Sequence, residues 1–439
     1  MVASLGRGYI IALPSMNLRN QLLALFLVLA FVAGGVLFFH TWVVQKPFGV
    51  ILFVGDGLVT GNLTAARLYE GGADHHLTMD GFPHLALATN YANDFAVPDS
   101  PAAASAIATG VKVNNGVIGI SPKGRVLANI LEMARHEGRA VGIVTTGGLT
   151  DASIAAFYAH VAKSSEVDVI AQQFAENMPV DVALGGGARD FTPEAKSGHR
   201  KDGRDLLLEM KGKGAEILRS KADLEDAPVF STAPRVGVFA DGDLAYSNQI
   251  EAGSQEPTLP DMVQRAIEFL QIHQRGYLLV VDAELISRAA EQNDGQHVMT
   301  ETLDMDRAIS TALRYAGNDA VVMAVGKHAT GGMTLNGYPL RQEHAVGLLG
   351  INALGYPAIA WATGPNGPQR PAPGTSGTSA QGSPALAAPD NTEPAAYYTQ
   401  PAAIDSAEDV IAIGKGPGTE AINGVIDNTE IFRILAHAL

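Results

Sequence analysis

The stretch GVILFVGDG, residues 49–57, decides the fold class. Its first six residues form an unbroken apolar run rich in branched side chains, too short for a helix and without a polar face. Such a run reads as a strand buried on both sides, ending at Gly55-Asp56-Gly57. Outward from it, similar runs recur at 140–144, 277–281, 320–325 and 410–413, and the helical period at 126–136 stops before Gly138. Strand, helix, strand in alternation predicts an α/β chain with a mostly parallel central sheet covered by helices on both faces. Such sheets place polar functional residues at the carboxyl ends of their strands, where Asp56, Asp282 and the Lys327-His328 pair all fall.

Upstream, residues 22–44 (LLALFLVLAFVAGGVLFFHTWVV) run 23 positions without a charge. At ~1.5 Å per residue they can cross a bilayer. Arg7 and Arg19 lie on the amino side, so 1–21 is expected to stay cytoplasmic and 45–439 to be exported, periplasmic or at the cell surface. A cleaved signal peptide is the alternative, but the run exceeds a usual signal core and no clear A-x-A site follows it. Downstream, 364–401 is dense in Pro, Gly, Ser, Thr and Ala and reads as a flexible insertion, after which a strand and a last helix capped near Asp427-Asn428 resume the core.

The whole chain has 439 residues, 47% apolar and 17% charged, enough for a large core. A formal net charge of -15 speaks against nucleic acid as a partner. The absence of cysteine excludes disulfides, thiolate metal sites and a thiol nucleophile, and leaves the compartment to the amino terminus.

Eight segments in order carry a resemblance: VILFVGDG, VPDSPAAASAIATGVKVNNGVIG, TTGGLTDASIAAFYAHV, VDVALGGG, VVDAELISRAAEQND, KHATGG, TLNGYP and AEDVIAIGKGPG. From about Gly49 to Leu439 the chain resembles alkaline phosphatase. The resemblance implies a three-layer αβα sandwich and hydrolysis of a phosphorylated small molecule through a phosphoserine, assisted by two zinc ions and one magnesium. It leaves the assembly open, with a homodimer frequent in the family. Ser100 matches the nucleophile at the start of a helix, whose amino end would favour phosphate oxygens. Asp56, Asp151, Ser153 and Asp282 fall at magnesium-site positions and offer the hard oxygens that ion prefers.

The zinc positions depart from the family pattern. Ser287, Glu291 and Asp405 stand where the first zinc takes Asp, His and His, a set better suited to Mg, Mn or Ca. At the second zinc Asp56 and His328 match, but Lys327 replaces an aspartate and, when charged, has no lone pair to give. Lys327 could instead supply the missing positive charge to Asp56, Ser100 and a bound phosphate, or act as a base if burial deprotonated it. The family's phosphate-clamping arginine is Ser164 here, with Lys163 one position before it as a partial substitute. His297 is a spare imidazole outside the motifs, expected on an exposed loop. Two functions follow: a phosphomonoester hydrolase with a non-standard metal site, or a pseudophosphatase that binds phosphate, a phosphorylated ligand or a partner protein.

Overall fold

The computed structural model describes residues 17–38, 49–250, 254–317, 319–336, 348–349, 357–365 and 395–439. The chain divides into two compact units, residues 1–46 and 47–439.

The first unit holds one helix, Leu18–Phe38. Its window Leu18–Gly35 is long and apolar enough to cross a membrane, and none of it is buried within the protein. Twenty-one residues span about 31 Å, the thickness of a hydrocarbon core. The helix starts four residues before the expected span; residues 39–44 of that span lie outside the described residues.

The second unit is built on a ten-stranded sheet. Gly49–Gly55 is one of its central strands, paired in parallel with Tyr277–Ala283 on one side and Val321–Gly326 on the other. Alternation along this strand explains the three layers. Val50, Leu52 and Val54 enter one core with Ala104, Ile107 and Phe174, whereas Ile51 and Phe53 enter a second with Met262, Met299 and Ile309. Helices Ser100–Thr109 and Val167–Asn177 cover the first face, and Leu259–Leu270 and Gly295–Ala316 the second. The fold is the predicted αβα sandwich.

Three local expectations are corrected and a fourth holds. The strand Val410–Lys415 exists but runs antiparallel to both of its neighbours, His84–Thr89 and Val321–Gly326. The helix expected from residue 126 begins at Ile130, because Asn129 and Glu132 form a reciprocal capping box that sets its first turn. The last helix, Thr429–Ala438, is capped at Asp427-Asn428 as expected, with Asp427 Oδ1 accepting from the Thr429 N–H at 2.9 Å. Finally, the carboxyl end of the supposed insertion is ordered: Ala395–Thr399, with two Tyr and a Thr, pairs in parallel with Ile359–Gly364. Those residues favour a pleated strand over a Pro/Gly-rich coil. Residues 366–394 of the insertion lie outside the described residues.

Candidate active site

Three neighbouring parallel strands end level with one another and deliver the polar residues. Gly55 pairs with Ala283 and with Gly326, so Asp56 follows one strand end, Asp282 sits at the second, and Lys327 and His328 follow the third. The Lys327 N–H donates to the Gly55 carbonyl at 3.1 Å, extending the ladder one residue beyond the named strand. Gly326 permits the approach, since a Cβ there would fall 2.2 Å from the Leu58 carbonyl oxygen.

Lys327 is fully buried and its Nζ donates both to Asp56 Oδ2 and, at 2.5 Å, to Ser100 Oγ. Burial works to discharge it, but Asp56, Glu284 and Asp282 outweigh that and raise its pKa. A raised pKa favours the ammonium form of Lys327 and speaks against the alternative of a lysine base. Burial likewise works to raise Asp56, yet Lys327 and His328 hold its carboxyl well below the usual range.

His328 lies between two carboxylates, with Nε2 2.8 Å from Asp56 Oδ1 and Nδ1 3.2 Å from Asp405 Oδ1. Burial pulls its pKa down, but those two acids win and push it up to about 10. The 2.8 Å contact is out of line for a hydrogen bond, leaving Asp56 Oδ1 and His328 Nε2, together with Glu284 Oε2, as buried atoms without a hydrogen bond among the described residues.

Ser100 opens its helix but is not the cap. Asp99 is the N-cap, accepting from the Ala102 N–H at 3.0 Å and from Gly116 N at 2.5 Å. This frees the Ser100 hydroxyl. Pro101 has no N–H and Asp99 takes that of Ala102, so of the first three helix residues Ser100 supplies the backbone N–H that remains for an anion.

The remaining candidates divide between this cluster and its rim. Ser153 Oγ and Thr145 Oγ1 donate to the two oxygens of Asp282, each at 2.9 Å. Burial lifts Asp282 to about 6, against Lys327. Ser287 Oγ meets Thr330 Oγ1 at 3.1 Å, and Thr330 also donates to Asp405 Oδ1 at 3.2 Å. Asp151 and Glu291 turn to Arg288, at 3.6 and 3.7 Å. Burial and Asp243 push Asp151 up to about 7. The Ser164 N–H donates to the Gly116 carbonyl at 2.7 Å, tying that segment to the Asp99 loop, while Lys163 is exposed. His297 is not on a loop: it lies in the first turn of Gly295–Ala316, stacked on Tyr246 at 3.9 Å and held by Asp294.

Sequence reasoning missed Glu284, Arg288, Asp243 and Thr145. A signal existed for the first two, an acid and a base spaced i, i+4 just after Asp282. Thr145 is visible only through strand register, which pairs it with Asp282.

The donor set does not fit a zinc pair. Ser287, Glu291 and Asp405 face Thr330, Arg288 and His328, and at the second position the Lys327 side chain stands at Asp56, where a third ligand would be needed. The magnesium-type oxygens of Asp56, Ser153 and Asp282 are engaged by Lys327 and by one another. Among the described residues no three His, Asp or Glu side chains converge to hold an ion.

A family model for alkaline phosphatase matches residues 49–439. The chain is 32% identical over 344 residues to the chicken (Gallus gallus) tissue-nonspecific isozyme, covering 66% of this chain and 66% of that protein. It is 31% identical over 316 residues to alkaline phosphatase 4 of Bacillus subtilis, covering 68% of this chain and 65% of that one. The chain thus spans about two thirds of these relatives' own lengths. Among solved structures, Thermus thermophilus alkaline phosphatase superposes with a TM-score of 0.69 at 25% identity, over 90% of this chain and 93% of that one. With the family model spanning the sheet and every residue of the site, the chain belongs to the alkaline phosphatase family.

Proposed function

We propose that this protein hydrolyses phosphomonoesters with Ser100 as nucleophile and Lys327 as the cation that activates it. The observation that carries the reading is the Lys327 ammonium held between Asp56 and Ser100 Oγ. Alkaline phosphatases generally bind zinc and magnesium, which lower the pKa of the nucleophile and neutralise phosphoryl charge. Here a charge-assisted hydrogen bond from Lys327 does the first task, and its compact charge is placed for the second.

Ser100 Oγ attacks phosphorus as its proton passes by way of a phosphoryl oxygen to the departing ester oxygen, so the P–O ester bond breaks and the alcohol leaves; water then attacks the phosphoserine, releasing phosphate and returning a proton to Ser100. Lys327 enters protonated, so it donates to the serine oxygen as negative charge develops and takes no proton from it. Asp56 keeps that ammonium charged and aimed, and His328, fixed by Asp405, holds Asp56 from its other side. Asp282 adds negative charge behind Lys327 and is itself set by Thr145 and Ser153. Lys163, exposed one residue before Ser164, is the cation on the outer side that can meet an incoming phosphate. The helix Leu18–Phe38 serves as a membrane anchor, with the body outside the cytoplasm.

Brief incubation with an aryl phosphate, an acid quench and peptide mass spectrometry test this. One phosphoryl group is expected on the peptide containing Ser100 and none in Ser100→Ala. If neither protein carries the group and neither turns over substrate, the hydrolase reading fails and phosphate binding without chemistry takes its place.

A further inference from the structure

Residues 97–99 lead straight into Ser100, and one half-buried side chain holds them. Asn115 Nδ2 donates to the Val97 carbonyl and Asn115 Oδ1 accepts from the Asp99 N–H, each at 3.0 Å. These are two backbone groups that a neighbouring strand would otherwise pair, and Pro98 between them has no N–H to offer. The amide thus stands in for a strand beside the segment that delivers the cap, Asp99, and Ser100 after it. The opposite amide orientation would set donor against donor and acceptor against acceptor, so the network assigns this one.

The backbone of Asn115 is held as firmly. Its N–H donates to Asp94 Oδ1 at 3.0 Å, and the turn Asn114–Val117 closes with the Val117 N–H on the Asn114 carbonyl at 3.2 Å. That turn needs a residue at φ +77°, the left-handed region, and Gly116 supplies it. Gly116 in turn donates its N–H to Asp99 Oδ2 and accepts the Ser164 N–H at 2.7 Å. Farther along the helix that Ser100 opens, the buried Ser105 Oγ accepts from the Gly119 N–H at 3.1 Å and ties the same stretch down.

We infer that Asn115 is a positioning residue for Ser100: through Val97 and Asp99 it sets where the hydroxyl stands against Lys327 Nζ. This rests on the reading that Ser100 is the nucleophile. The segment of Lys163 hangs on the Gly116 carbonyl through Ser164, a backbone bond that survives a change of the Asn115 side chain. Loss of that side chain therefore displaces the reacting oxygen and spares the outer cation.

The test compares the full-length protein in detergent with Asn115→Ala, and with Asn114→Ala as control. Asn114 Oδ1 accepts from Asn93 Nδ2 at 2.7 Å, a tether of the same loop that does not reach residues 97–99. Both variants are expected to melt a few degrees lower. Only Asn115→Ala should lose kcat on an aryl phosphate, roughly 10-fold, with KM near the parent value, because a misplaced nucleophile reacts more slowly without binding substrate less well. Amide exchange in peptides spanning residues 97–104 should also be faster in Asn115→Ala than in the parent. Parent-level kcat in Asn115→Ala, an equal loss of kcat in both variants, or unchanged exchange overturns the assignment. If Asn115→Ala does not fold, Asn115→Asp takes its place, since it keeps the shape and the acceptor but loses the donor to Val97. Lower kcat at unchanged KM then supports the assignment, and parent-level kcat overturns it. The exchange arm reads Asn115 even if the parent shows no Ser100-dependent turnover, so failure of the hydrolase reading is seen separately.

Discussion

Lys327 shows how one side chain can reorganise a site. Buried with Asp56, it is costly to remove, because deleting one partner leaves an uncompensated charge at a cost of about 3–5 kcal/mol. Lys327→Gln should therefore lower the unfolding midpoint and also cut kcat at least ~100-fold, since it withdraws a donor aimed at the developing oxyanion. Lys327→Arg should not rescue activity, as a planar fork cannot occupy the place of a compact ammonium. Chemical denaturation and steady-state kinetics on the same samples check both statements. A second residue-scale prediction concerns pH. His160 Nε2 faces Glu132 Oε1 and Nδ1 faces the Gly119 carbonyl, each at 3.1 Å, so both ring nitrogens meet acceptors, which favours the charged ring. The Glu132 hydrogen bond raises the His160 pKa above its ordinary 6.5, and His160 lowers Glu132 below 4.5 against burial. A raised histidine contributes stability that is full below 6.5 and lost as pH rises through its folded pKa. A lowered glutamate contributes stability that is full above 4.5 and lost as pH falls through its folded pKa. The stability difference between parent and His160→Gln should thus be largest between pH 4.5 and 6.5 and shrink above it, and a difference that grows toward pH 9 would contradict the pairing.

At the scale of elements, strand ends and helix caps hold the site together. Gly326→Ala would drive a Cβ to 2.2 Å from the Leu58 carbonyl, backbone against backbone, so the strand must shift and with it Lys327. A loss of about 1–3 kcal/mol is expected in unfolding experiments, with activity falling further than stability alone explains. Asp99→Ala removes the cap ahead of Ser100 and should cost about 1 kcal/mol. How much was legible in the sequence follows from how local each feature is. The strands at 49–54, 277–281 and 320–325 were readable because a buried strand is a short apolar run, and their ends located Asp56, Asp282 and Lys327. The antiparallel course of Val410–Lys415 was not, since a strand buried on both faces has the same pattern in either direction. The Glu284–Arg288 pair could be read from its i, i+4 spacing, whereas the contacts of Arg288 with Asp151 and Asp243, far away in the chain, could not. The Asn129–Glu132 capping box, by contrast, was there to be read and would have placed the helix start.

For the whole molecule, an apolar helix of 21 residues precedes a body with its own sheet and two cores. We expect the full chain to stay with membranes after an alkaline wash and a version lacking residues 1–44 to be released. Retention of the shortened chain would show that another surface binds lipid. The chain's net charge of -15 does little to draw an anionic substrate, which puts the weight of phosphate recognition on the few cations near Ser100. Those cations are side chains of the protein, and the account stands on their doing what bound ions do in alkaline phosphatases generally. The most direct measurement is Ser100-dependent hydrolysis of an aryl phosphate by the full-length protein after exhaustive chelation. The account predicts that turnover persists in the metal-free protein and disappears in Ser100→Ala. Turnover that vanishes on chelation and returns only with zinc, at two ions per chain, would contradict it.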